Sequence, residues 1–218
     1  MHNAFALVRA VGFDLDGTLY ATTPEMERIV AEKIIEKVLE LEISQATSVA
    51  TREFLLGEHE KARSWSKVLA GLGIENPTAV LANCLATAGI VDIIKKDEAL
   101  AHLLGSLREK YFLFLISGSL KPLAIKKLGK IGISPDFFNF SFFGDDPRFT
   151  SKMEPGNFKY FLSKSPYAPG EHVYIGDSPH TDVFIPKSLG MKTIIVGKDD
   201  PEADFSVAHI HGIKELLL

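Results

Sequence analysis

The stretch Val11-Gly12-Phe13-Asp14-Leu15-Asp16-Gly17-Thr18-Leu19 decides how the rest of the chain is read. A strand is predicted over Arg9 to Asp14, and it runs into two aspartates one residue apart. Gly17 and Thr18 follow, as at a tight turn. The carboxylates therefore sit where a parallel strand meets the loop beyond its carboxyl end, the place where open α/β sheets bind ligands. Side chains at i and i+2 of an extended chain project to the same side. Two anions that close repel unless a cation lies between them or one is protonated. The stretch thus proposes a divalent cation or a shared proton.

After Tyr20 the character of the chain changes. Thr22 and Thr23 both suit a helix cap, Pro24 suits a first turn, and Glu25 stands three residues after Thr22 as in a capping box. Met26, Ile29, Val30, Ile34, Val38 and Leu41 then recur at helical spacing. Ser44–Leu56, Lys61–Leu72 and Thr78–Thr87 also read as helices, broken by Gly71, Gly73, Asn76 and Pro77. No alternating strand pattern interrupts Thr23 to about Ile94. The expectation is an all-helical insertion, residues 21–94, within a core domain made of 1–20 and 95–218.

Alternation of strand and helix returns after Asp97. Ala99–Lys110 reads as a helix, and Tyr111 to Ile116 is a continuous apolar run of the kind buried in parallel sheets. Ser117-Gly118-Ser119 closes that run. Lys121–Ile131 reads as a helix and Phe140–Phe143 as a strand. The segment Ser151 to Phe158 leads into a helix ending near Ser163. Val173-Tyr174-Ile175 is a strand closed by Gly176-Asp177-Ser178, followed by a helix over Val183–Leu189 and a strand over Thr193–Val196. Ala203–Leu218 holds a last short strand and helix. This order predicts an α/β fold, a doubly wound parallel (Rossmann-like) sheet with an inserted helical domain.

The polar residues that follow the strands form one set. The first strand delivers Asp14 and Asp16, the second Ser117, and the fourth Asp177, with Asp182 one loop later and Lys152 ahead of a helix. In a parallel sheet these positions share the carboxyl edge. Three carboxylates suit Mg²⁺, a hard cation that takes oxygen ligands. A lysine, a serine hydroxyl and turn amides suit a phosphate group. A carboxylate also serves as nucleophile in aspartyl-phosphate chemistry.

Four motifs, in order, resemble those of the haloacid dehalogenase (HAD) superfamily of phosphohydrolases. Asp14-Leu15-Asp16-Gly17-Thr18-Leu19 resembles the first, Ile116-Ser117-Gly118 the second and Gly176-Asp177-Ser178-Pro179-His180-Thr181-Asp182 the fourth. Lys152 in Lys-Met-Glu-Pro-Gly-Asn-Phe resembles the third, with Met153 where the family usually has proline. The resemblance implies that Asp14 attacks phosphorus. It also implies that Asp16 protonates the leaving oxygen and then activates water. Mg²⁺ is implied on the Asp14 carboxylate, the Asp16 backbone carbonyl and Asp177, with Asp182 in support. Ser117, Gly118 and Lys152 would bind the phosphoryl oxygens. Asp16 favours phosphate esters over halides, because a departing halide needs no proton. The insertion resembles the helical cap of one large branch, and Tyr20 resembles a tyrosine carried by some pyrimidine 5′-nucleotidase-like members.

Composition sets bounds on this picture. The net charge of −4 argues against nonspecific nucleic-acid binding and a basic membrane face. Cys84 is the lone cysteine, so no disulfide forms within the chain. No apolar run is long enough for a bilayer, and the first residues lack a signal-peptide layout. A cytoplasmic monomer or homodimer acting on a small phosphate ester is expected, with no nucleic acid or membrane partner. A phosphomutase using the same aspartyl-phosphate, and a non-catalytic phosphate-ligand or protein-binding module, stay open. Lys159 and Lys164 compete with Lys152 for its role. His180 reads as a surface group, and His209 and His211 as an alternating pair on a strand face, a solvated pair in preference to a metal pair. Arg52, His59, Arg63, Trp65 and Lys67 read as ordinary helix residues within reach of a substrate-selecting role.

Overall fold

The computed structural model describes residues 5–41, 51–62 and 64–218. Strand β1 (Ala10–Phe13) is buried at every position, as expected of a strand with neighbours on both edges and layers on both faces. Helix α1 (Pro24–Glu40) begins beyond Ala21. Of the two candidate caps, Thr23 is the one used: its hydroxyl accepts from the Met26 amide at 3.2 Å, directly ahead of Pro24 in the first turn.

Helices α2 (Arg52–Ala62), α3 (Trp65–Gly71) and α4 (Pro77–Thr87) follow. The single helix expected over Lys61–Leu72 is divided. Ser64 adopts an extended backbone and caps α3 by accepting from the Lys67 amide at 3.4 Å. Residues 44–50 of the expected helix Ser44–Leu56, and Arg63, lie outside the described residues. Residues Thr22–Ile93 form one compact unit. Its core is Ile34, Ile35 and Val38 of α1, Leu55 of α2, Val68 and Leu69 of α3, and Cys84 of α4. Asn76 caps α4 through the Ala79 amide at 3.1 Å.

The second unit comprises Met1–Ala21 and Ile94–Leu218. After β1 it holds α5 (Glu98–Arg108), β2 (Phe112–Ser117), α6 (Lys121–Ile131), β3 (Phe140–Phe143), α7 (Gly156–Leu162), β4 (His172–Gly176), α8 (Ile185–Ser188), β5 (Lys192–Val196), β6 (Phe205–Val207) and α9 (Lys214–Leu217). The strands make one sheet in the order β3-β2-β1-β4-β5-β6, and every described pairing is parallel. β1 lies between β2 and β4, with Phe13 opposite both Leu115 and Ile175. This is the doubly wound α/β sheet that the alternation of elements predicts.

Packing of one sheet face explains two sequence choices. Phe114 stacks on Phe161 of α7 with ring centroids 3.8 Å apart, and Phe158 meets Tyr174 edge-on at 4.7 Å. Burying each such ring contributes roughly 1.5–3 kcal/mol. The Phe114 ring lies directly over Gly12, where an added Cβ would stand 2.0 Å from it. Only glycine fits there. The buried Tyr174 hydroxyl donates to the Ile116 carbonyl at 3.0 Å, so its polar end is satisfied.

Two elements differ from the sequence expectation. The helix expected over Val183–Leu189 is instead a widened π-helical turn, Pro179–Phe184, followed by the short α8. The widening accompanies a fully buried Asp182 within the turn. His209 and His211 lie beyond β6, around a 3₁₀ turn at Ile210–Ile213, and not on a strand. His211 pairs with Asp97, the capping residue of α5, at 3.0 Å.

Candidate active site

The three central strands end in chemistry-bearing residues on one edge of the sheet. Asp14 follows β1, Ser117 ends β2 and Asp177 follows β4. Because β1 is hydrogen-bonded to β2 and β4 in parallel, these tips are neighbours and share a rim. Gly17 turns the chain after β1 with φ of 80°, in the left-handed region. A Cβ there would fall 2.6 Å from an Asp177 carboxylate oxygen, so the turn packs its backbone against that carboxylate.

Lys152 reaches this edge from the segment before α7. Its Nζ stands 2.9 Å from Asp14 Oδ1 and 3.3 Å from Asp182 Oδ1. The buried Asn157 holds that segment: its side chain accepts from the Thr150 amide at 2.8 Å and donates to the Thr150 carbonyl at 3.0 Å. Lys159 is exposed, and the Lys164 Nζ lies 5.8 Å from the Tyr160 ring centroid. Lys152 is therefore the lysine at the edge. Its stem passes Gly118, where an added Cβ would meet Lys152 Cδ at 3.6 Å. Ser117 is fully buried, and its hydroxyl accepts from the Ser119 amide at 3.1 Å. That bond leaves its own O–H available to donate.

Asp14, Asp177 and Asp182 each offer a carboxylate oxygen, and these atoms lie within 4.8 Å of one another. Burial, then the charges of Asp182 and Asp16, push the Asp14 carboxyl up to about 7 against the pull of Lys152. Burial and Asp182 likewise raise Asp177. Lys152 faces two carboxylates, which more than offset its burial and raise its ammonium. Asp14 and Asp177, raised by burial and by negative charge that one lysine does not cancel, stand with Asp182 as hard oxygen donors, a set that fits a divalent cation such as Mg²⁺. Asp182 is the most engaged of the three. It accepts from the Ser178 amide at 3.0 Å and the Thr181 hydroxyl at 2.9 Å, besides its contact with Lys152.

Asp16 lies outside that cluster and in different company. Lys127 Nζ donates to Asp16 Oδ1 at 2.5 Å, and Ser119 Oγ donates to Oδ2 at 2.7 Å. The Tyr20 hydroxyl also donates to Oδ1. Burial would raise the Asp16 carboxyl, but the Lys127 charge and the hydrogen bonds of Lys127, Tyr20 and Ser119 prevail and hold it below the usual range. Tyr20 is held firmly protonated by burial and by Asp16.

The structure thus brings Asp14, Lys152, Asp177 and Asp182 together, with Gly118 against the Lys152 stem. It sets the Asp16 side chain on a separate group of donors. Lys127, Ser119 and Asn157 take part in these hydrogen-bond networks, and the sequence reading passed over them. Lys127 does leave a signal. It falls in helical register with Leu123, Leu128 and Ile131, so a lysine stands on the apolar face of α6. In the helical unit, Arg52 is paired with Glu32, Trp65 stacks on His59 at 4.3 Å, and Lys67 is exposed. His180 is exposed and stacks on Phe184.

A family model described as haloacid dehalogenase-like hydrolase matches residues 8–190. The chain belongs to this family. A glyceraldehyde 3-phosphate phosphatase of Methanocaldococcus jannaschii is similar to this haloacid dehalogenase-like chain over nearly all of both proteins. It is 26% identical and the match covers 97% of this chain and 96% of the relative. A HAD phosphatase from Thermococcus onnurineus shares the fold with a TM-score of 0.66 at 23% identity, covering 96% of this chain and 98% of its own. A haloacid dehalogenase-like family hydrolase from Streptococcus pneumoniae superposes with a TM-score of 0.69 at 15% identity, covering 98% of this chain and all of its own.

Proposed function

We propose that this chain, a phosphoric monoester hydrolase of the haloacid dehalogenase-like family, dephosphorylates a small sugar phosphate with Mg²⁺ as cofactor and an aspartyl-phosphate as intermediate. Asp14 attacks phosphorus, a P–O bond to the Asp14 carboxylate forms, and the ester P–O bond breaks. Asp16, ionised at rest, takes up a proton as the anionic ester binds and gives it to the departing alkoxide oxygen. It then takes a proton from the water that attacks the phosphorus of the aspartyl-phosphate, and inorganic phosphate leaves. Ser117, the Gly118 amide and Lys152 hold the phosphoryl oxygens. Lys152 leaves its resting pair with Asp14 to neutralise them. Asp14 and Asp177 would hold the cation with the Asp16 backbone carbonyl, while Asp182 anchors Lys152 and the turn after β4. When bound, Mg²⁺ supplies charge neutralisation for the phosphoryl group. The helical unit, residues Thr22–Ile93, is assigned the substrate-selecting role of the family's helical cap.

One observation carries this reading: a buried carboxylate after the central strand, 2.9 Å from a lysine and clustered with two further carboxylates. The sugar-phosphate class is supported by the printed activity of the Methanocaldococcus relative. The case for a nucleotide weakens, because Tyr20 spends its hydroxyl on Asp16. No described helix is long and apolar enough to cross a membrane. We place the enzyme in the cytoplasm, as a monomer or homodimer, with its ester as sole partner. The test is phosphate release from a panel of triose, pentose and hexose phosphates and nucleoside monophosphates, with Mg²⁺ and after chelation. Release that favours a sugar phosphate and stops on chelation is expected. Activity confined to nucleotides would overturn the substrate class, and full activity after chelation would overturn the cofactor. A requirement for a bisphosphate activator would point to a mutase.

A further inference from the structure

Lys127 is a lysine in the wrong place for an ordinary helix residue. It is 1% exposed, on the face of α6 that carries Leu123, Leu128 and Ile131. An ammonium taken out of water costs several kcal/mol unless a countercharge and hydrogen bonds compensate. Here the compensation comes from a closed ring of bonds. Lys127 Nζ donates to Asp16 Oδ1 at 2.5 Å and to Ser119 Oγ at 2.9 Å, and Ser119 Oγ donates to Asp16 Oδ2 at 2.7 Å. Tyr20 adds a second donor on Oδ1. The donors come from three segments: the turn after β1, the turn after β2 and the second turn of α6.

Stability alone does not account for this arrangement. An apolar side chain of similar volume on an apolar helix face typically does as well as a buried ion pair, or better. What the ring does provide is orientation. A free aspartate on a turn has several rotamers open to it, whereas Asp16 has both oxygens held from defined sides. Held orientation is what the proposed two-step cycle requires. The leaving oxygen in the first step and the attacking water in the second both lie in line with phosphorus, on the side away from Asp14. One fixed carboxylate can therefore serve both.

We propose that Lys127 is a positioning residue for the phosphatase reaction: through the Lys127–Ser119–Asp16 ring it holds the Asp16 carboxylate where it meets the leaving oxygen and then the water. This rests on the phosphatase reading above, in which Asp16 is the proton donor and acceptor. Lys127 Nζ donates to Asp16 and Ser119, and neither belongs to the cluster of Asp14, Lys152 and Asp177. Phosphate binding should therefore survive its loss.

The test compares Lys127→Met with wild type on two aryl esters that differ in their need for a proton. p-Nitrophenyl phosphate has a leaving group that departs as the anion; phenyl phosphate does not. For Lys127→Met, kcat/KM on phenyl phosphate is expected to fall about 100-fold, the scale of a misplaced general acid, and on p-nitrophenyl phosphate less than about 10-fold. Phosphoenzyme should accumulate with the nitrophenyl ester, because the water step also needs Asp16. The inhibition constant of inorganic phosphate should stay within about twofold, since Ser117 and Lys152 are untouched. Equal losses on the two esters, or no loss on either, would overturn the proposal. Ser119→Ala breaks the same ring with a smaller change of volume, and should show the same unequal losses if Lys127→Met does not fold. Crystal structures of wild type and variant decide the positional claim even if wild type hydrolyses neither ester. An Asp16 carboxylate displaced in the variant supports it, and an unmoved one overturns it. Absence of wild-type turnover on every ester would count against the phosphatase reading instead.

Discussion

Asp14 and Asp16 stand two residues apart on one turn and live in opposite electrostatic surroundings. Asp14 shares its space with two other carboxylates and one lysine, and burial pushes its proton affinity up to about 7. Asp16 has a lysine, a serine and a tyrosine to itself, and its proton affinity falls. Alternation along an extended strand end cannot separate them, because i and i+2 project alike. The difference comes from partners that reach in from elsewhere: Lys152 before α7 for one, Lys127 on α6 for the other. At rest this order is the reverse of what the proposed roles need. Asp14 must shed its proton to attack, which a bound cation favours, and Asp16 must gain one to act as an acid, which the arrival of an anionic ester favours.

Substitution of each aspartate should break the pair unequally. The largest effect is expected for Asp14→Asn, with kcat reduced by on the order of 10⁴-fold or more and a native circular dichroism spectrum, because nothing else can form the covalent intermediate. Asp16→Asn is expected to lose about 10²- to 10⁴-fold in kcat on a sugar phosphate, with both halves of the cycle slowed. Rapid-quench measurements on the two variants check this order. If Asp16→Asn proved the more damaging, the assignment of roles would be reversed.

The opposite proton affinities give opposite contributions to stability against pH. The folded protein binds the Asp14 proton more tightly than the unfolded chain does. In the metal-free protein that contribution is full below about pH 4 and is lost as pH rises through about 7. The Asp16 contribution has the other sign: it is present above the unfolded-state value of 3.8 and is lost as pH falls. A cation that binds the ionised cluster should therefore raise Tm more at pH 8 than at pH 5. Calorimetry with and without Mg²⁺ measures this. An equal shift at both pH values would mean that the cation binds elsewhere. A smaller effect is expected of Tyr20→Phe, which removes one of three donors to Asp16. Its kcat should fall less than about 10-fold, with KM unchanged.

The sequence displayed the Asp14 side of this comparison and concealed most of the Asp16 side. Asp14, Ser117 and Asp177 each follow an apolar strand, so their convergence needs only that the strands be parallel. Lys152 could be told from Lys159 and Lys164 by its motif. Lys127 was harder to assign: it stands 111 residues from Asp16, and its one mark, a place on the apolar face of α6, names no partner. Ser119 looked like a turn residue beside Ser117. The widened turn at Pro179–Phe184 was also hidden, since Val183 to Leu189 carries a helical pattern and a buried Asp182 leaves no periodic mark. Where function came from strand order it was legible. Where it came from one side chain crossing the core it was not.

The account rests on Asp14 as the atom donor to phosphorus. The most direct measurement is mass mapping of Asp16→Asn protein quenched in acid during turnover of p-nitrophenyl phosphate with Mg²⁺. One phosphoryl group on the peptide carrying Asp14, absent after hydroxylamine treatment, is the expected result. Turnover with no phosphorylated peptide, or with the group on another residue, would contradict it.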